Sequence, residues 1–131
     1  MGRRISYEIP GIKHDNPLPA ASRIGPFLVS SAIAGKDPAN GQVADGIEAQ
    51  CQHMFANLRK ILELAGGSPE NVLKLTVWLK DRSNRPVVNQ HWLQMFPDAH
   101  SRPARHTFAS PDLPEPMLVQ CEFMAVLEEP R

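Results

Sequence analysis

The segment from Met117 to Leu127 constrains the fold more than any other, because as a strand it is apolar on both sides. Successive strand side chains point to opposite faces. One face carries Met117, Val119, Cys121, Phe123, Ala125 and Leu127 without interruption. The other carries Leu118, Gln120, Glu122, Met124 and Val126, apolar at three of five positions. A strand that faces water on one side is expected to be polar there. The first face therefore needs a covering layer from the same chain. The second is too apolar for open solvent, and its polar pair suits a cleft at a contact with another chain.

Two helices can supply the covering layer. From Asp45 to Leu64, Ile47, Cys51, Met54, Leu58, Ile61 and Ala65 recur at spacings of four and three, widened by Phe55 and Leu62. That is one buried helical stripe. Asp45 with Glu48 predicts a capping box at its start, and Gly66-Gly67 a left-handed cap at its end. A second helix is expected over Arg85 to Phe96, with Val88, Trp92 and Met95/Phe96 inward and Pro97 as its stop. Strands are expected at Arg4–Ile9, in a hairpin over Ser22–Ser31 turning at Gly25-Pro26, at Val72–Lys80 and at Ala104–Ala109. In the Val72 strand, Leu73, Leu75, Val77 and Leu79 should share one face and Val72, Lys74, Thr76 and Trp78 the other. Ala32–Val43 reads as loop. The turn at 111–116 is expected to join the Arg105 strand to the last one as a hairpin. This order implies a two-layer α+β fold, a mixed sheet covered by two helices on one face, in a single domain over residues 1–131.

Several function classes lack support. Lys+Arg and Asp+Glu both number 14, so no basic surplus exists for nucleic acid. No apolar run reaches membrane-span length. Met1-Gly2 formally fits a myristoylation pattern, but no apolar segment follows Arg3-Arg4, so neither a leader nor a membrane partner is expected. Lys36 follows one glycine rather than a phosphate loop. The five histidines have no ligand spacing, so no metal is expected. Cys51 and Cys121 read as reduced, buried thiols of a cytoplasmic protein. Ser30 and Ser31 suit strand-end hydrogen bonding better than nucleophilic attack.

One stretch does carry chemistry. Pro103 rigidifies the entry to Ala104–Ala109, where Arg105, Thr107 and Ala109 share a face opposite His106 and Phe108. A guanidinium beside a small hydroxyl matches a carboxylate with two parallel hydrogen bonds. On the residues alone, Arg105 suits either that role or a structural ion pair. Asn89 suits either a solvated helix position or a polar site.

Pro103-Ala104-Arg105, the turn after it and the last strand resemble the signature of the YjgF/Rid (reactive intermediate deaminase, endoribonuclease L-PSP) family. Val72–Asp81 resembles its central strand, and Val88-Asn89 with Phe96 its second helix; the resemblance runs from about Asn16 to Leu127. It implies a chorismate-mutase-like fold and a homotrimer whose sheets form a central barrel with clefts between subunits. It also implies a cofactor-independent hydrolytic deaminase of 2-imino or enamine acids, the substrate carboxylate held by Arg105. Ser31, Ala32, Asn89, Thr107, Gln120 and Glu122 are the other site candidates. Active deaminases of the family carry glutamate at Gln120, cysteine at Thr107, glycine at Ala32 and a tyrosine near Leu18. The alternative these departures raise is a Rid-like protein that binds small carboxylates without deaminating them. RNA cleavage, attached to the family by name, is disfavoured by the zero net charge.

Overall fold

The structure is a computed structural model that describes residues 3–128. Met1 and Gly2 of the formal lipidation pattern lie outside them. The strands are β1 (Ile5–Tyr7), β2 (Ala21–Ile24), β3 (Phe27–Ser30), β4 (Ile33–Ala34), β5 (Lys36–Asp37), β6 (Gln42–Val43), β7 (Val72–Leu79), β8 (Ala104–Ala109) and β9 (Val119–Val126). The helices are α1 (Ile47–Leu64) and α2 (Arg85–Met95). The main sheet runs β1-β2-β3-β9-β7-β8, with β4 also on β9; β5 and β6 form a separate ribbon. Among the described residues only the β7–β8 pairing is parallel, so the sheet is mixed.

α1 lies on the sheet through the predicted stripe: Cys51, Met54, Leu58 and Ile61 are fully buried. They meet Leu28, Leu75, Val77, Cys121 and Phe123 in one core. Each such aliphatic or aromatic side chain contributes about 1.5–3 kcal/mol. The end of α1 is as expected, with Gly66 at φ 82°. Gly67 N donates to Leu62 O at 2.7 Å and Gly66 N to Glu63 O at 3.0 Å, the paired bonds of a Schellman cap. Its start differs. Gly46 is the cap residue, no side chain caps the helix, and Asp45 stands outside. Gly46 has a φ of 87°, open to glycine, and this turns the chain before Asp45 can reach the first N–H groups.

Three other expectations are corrected. First, β7 does not alternate from its first residue. Val72 pairs with Ala125 and Lys74 with Met124, so Leu73 is an extra residue in a bulge. Val72 turns inward and Leu73 outward, 62% exposed. Second, Ala32–Val43 is not all loop: β4 pairs with β9, and β5 with β6. Gly35 lets this segment touch α1, since a Cβ there would lie 2.3 Å from Gln50 O. Third, β8 and β9 form no hairpin. β7 lies between them, parallel to β8 through the α2 crossover and antiparallel to β9.

Among the described residues, nothing covers the outer face of the sheet. Ile24 pairs with Phe27, Phe27 with Val126 and Val29 with Met124, Phe27 and Val29 lie two apart on β3, and all five are exposed. Trp78 and Phe108 extend the surface, with ring centroids 6.2 Å apart.

Candidate functional site

β8 is an edge strand whose register fixes which way its side chains point. Arg105 pairs with Leu75 and Thr107 with Val77, both fully buried beneath the helices. Arg105 and Thr107 therefore face the helix layer. There α2 receives the guanidinium: Nη2 donates to Asn89 Oδ1 at 2.6 Å, and Cζ lies 4.9 Å from the Trp92 ring centroid. Asn89 and Trp92 are three residues apart on α2, hence on one side of the helix. The amide and the ring together fix the plane of the fork. Among the described residues the ion pairs are His53–Asp37, Lys80–Glu115 and His91–Glu48, and none involves Arg105. The structural ion-pair reading of Arg105 thus has no partner among them. Burial, and secondarily the nearby charge of Arg85, lower its pKa from the usual arginine value. Both causes favour an incoming anion. Beside it, Thr107 Oγ1 is buried with no hydrogen-bond partner among the described residues.

The remaining candidates form a second group. Four residues of chain lead from Val29 to Ile33, while their β9 partners Met124 and Cys121 are three apart. The extra residue makes a bulge that includes Ser31 and Ala32. Ser30 Oγ accepts from Phe123 N at 2.9 Å, and Ser31 Oγ donates to Pro19 O at 2.7 Å. Both serines are strand-end hydrogen bonders, as expected. Ala32 is exposed and, with Gln120, borders a cavity of about 150 Å³. Gln120 pairs with Ala34 and Trp78, and Glu122 with Thr76. Trp78 and Thr76 alternate with the buried Val77 and Leu75, so Gln120 and Glu122 stand on the outer face.

Within one chain the two groups do not meet. Arg105, Thr107 and Asn89 lie on the helix side of β8; Gln120 and Glu122 lie on the other side of β9. Two strand spacings, roughly 10 Å, and the thickness of the sheet separate them. Trp92 and Arg85 are additions to the site. Trp92 is read from sequence only as core, and the three-residue step from Asn89 is the signal that links it to the arginine.

A family model described as endoribonuclease L-PSP matches residues 12–127. The chain belongs to this family. It is 30% identical over 129 residues to a RutC family protein of Pyrococcus abyssi, covering 98% of this chain and 100% of that one. It is 35% identical to the 2-iminobutanoate/2-iminopropanoate deaminase of Bos taurus over 117 residues, 82% of this chain and 84% of that protein. A crystal structure of a Thermotoga maritima putative endoribonuclease superposes with a TM-score of 0.87 at 30% identity, covering 98% of this chain and 100% of that one. The sheet with two helices on one face is thus the fold of this endoribonuclease L-PSP family. Among the described residues, no helix is long and apolar enough to cross a membrane.

Proposed function

We propose that this protein hydrolyses reactive 2-imino and enamine acids to 2-oxo acids and ammonia, as a homotrimer and without a cofactor. The observation that carries the reading is Arg105: a half-buried guanidinium oriented by Asn89 and Trp92, with no acidic partner among the described residues. It holds the substrate carboxylate, and the Thr107 hydroxyl meets a second polar atom of the same ligand. Ser31, Ala32 and Gln120 of a neighbouring copy close the cleft, which explains why one chain holds them apart. The exposed apolar sheet face is the surface through which the copies associate. The deaminases among the relatives support the activity.

The protonated imine is already an electrophile. Water adds to its carbon, a proton passes from oxygen to nitrogen, and the C–N bond breaks as the remaining hydroxyl proton leaves to solvent, giving ammonia and a carbonyl. Orientation supplies most of what the protein must provide. Gln120 can hold the attacking water through its amide but cannot exchange a proton with it. Proton transfer then runs through water.

Gln120 also favours a second reading, a carboxylate-binding protein that does not deaminate. Ammonia release from 2-iminopropanoate, generated in situ by an amino acid oxidase, separates the two. Deamination predicts faster release with protein than without, and its loss in Arg105→Ala. Equal rates with and without protein refute it. Binding of 2-oxo acids that still depends on Arg105 would then leave the second reading standing.

A further inference from the structure

The cavity behind Ala32 and Gln120 indicates what the substrate carries besides its carboxylate. It occupies about 150 Å³ where the bulge meets α1 and the N-terminal segment. Its walls are mainly aliphatic, with Ile9, Ile12, Ile33, Ile61 and Met117 among them. Asn57 also lines it, but that amide is 3% exposed and its nitrogen is committed to the carbonyls of Ala34 and Lys36 at 3.3 and 2.9 Å. A void of this size with apolar walls accommodates a benzene ring. A methyl or ethyl group would leave much of the wall without contact, forfeiting dispersion attraction.

We infer that this cavity receives the substrate's side chain, and that the preferred 2-imino acids carry an aryl or branched-aliphatic group. The inference rests on the carboxylate-site reading above. With the carboxylate on Arg105 of a neighbouring copy and the imine carbon near Gln120, the side chain enters past Ala32. An acidic side chain is the informative competitor, because Lys36 and His14 also border the cavity.

The test is calorimetric titration of the full chain with 2-oxo acids, stable analogues of the imines. The probes are 2-oxo-3-phenylpropanoate, 4-methyl-2-oxopentanoate, 2-oxopropanoate and 2-oxopentanedioate. The first two are expected to bind at least about tenfold more tightly than 2-oxopropanoate. Ala34→Leu, which fills the cavity, should bring that ratio close to one. Ile12→Ala, at a half-buried position, should raise the preference for the phenyl compound over the branched one. Equal affinity for all four acids, tightest binding of the dioic acid, or a ratio unmoved by both variants overturns the inference while carboxylate binding stands. No binding at all, or binding indifferent to Arg105→Ala, fails the carboxylate site itself, and the inference falls with it.

Discussion

Thr107 offers a test in which stability and binding should move in opposite directions. Its Oγ1 is buried and unpartnered, next to Arg105 on the same strand face. A hydroxyl buried without a hydrogen bond costs about 1–3 kcal/mol. Thr107→Val replaces that oxygen by a methyl group and keeps the β-branching that suits a strand. The ligand-free protein should therefore gain about 1–2 kcal/mol, read as a higher urea midpoint at unchanged slope and fixed protein concentration. If the hydroxyl is reserved for a bound carboxylate, the same change removes a hydrogen bond to a charged group, about 1.5–3 kcal/mol. Affinity for 2-oxobutanoate in a calorimetric titration should then fall roughly 10- to 100-fold. A variant less stable than the parent would mean that the hydroxyl has a partner, for instance in an adjoining copy. A stabilised variant with unchanged affinity would mean that it does not face the anion. Either result refutes the reasoning.

Arg105→Lys keeps the charge but loses the planar fork and the Trp92 stack, so 2-oxobutanoate affinity should drop about tenfold or more, and further still in Arg105→Ala, by the same titration. Gly35→Ala should destabilise by about 3 kcal/mol or more in urea, because its Cβ would lie 2.3 Å from Gln50 O in the α1 backbone. Burial first, and then the charge of Glu48, push the Cys51 thiol up to about 12. Burial chiefly raises Cys121 as well. Both thiols should resist alkylation at pH 8 until the protein is unfolded. These raised pKa values stabilise the fold fully below the unfolded thiol value of 9.0, and that contribution is lost as pH climbs toward 12; urea midpoints across the range measure it.

The helices were legible because their signals are local. Six stripe positions and a double glycine define α1, and Val88 with Trp92 and Pro97 defines α2. The two apolar faces of β9 were legible for the same reason, since alternation needs no partner strand. What the sequence concealed depends on pairing. The bulge at Leu73 exists only relative to β9, and it reverses the direction of Val72 and Leu73. Asp45 has the chemistry of a cap, but the backbone of Gly46 decides where the helix begins. Chain proximity favours a β8–β9 hairpin through the turn at 111–116. The α2 crossover instead returns β8 parallel to β7, and a strand pairs on the edge left open to it.

That last difference bears most on function. A β8–β9 hairpin would have made neighbours of the strands carrying Arg105 and Gln120. The observed order places Arg105 over the helix layer and Gln120 on the outer surface, so no side-chain rotation within one chain joins them. That outer surface exposes Phe27 by 64%, Met124 by 48% and Val29 by 47%. Val29 and Met124 are cross-strand partners and Phe27 stands two residues along β3 from Val29, and water is a poor neighbour for so much apolar area. Association through it also brings the Gln120 side of one sheet toward another copy. Under the proposed assembly, the driving force for association and the completion of the site are then the same event. An exposed charge at Val29 or Met124, such as Val29→Lys, should therefore weaken association and Arg105-dependent binding together, although neither residue touches the ligand. A monomer by sedimentation that kept full affinity for 2-oxobutanoate would separate the two and defeat the shared-site reading.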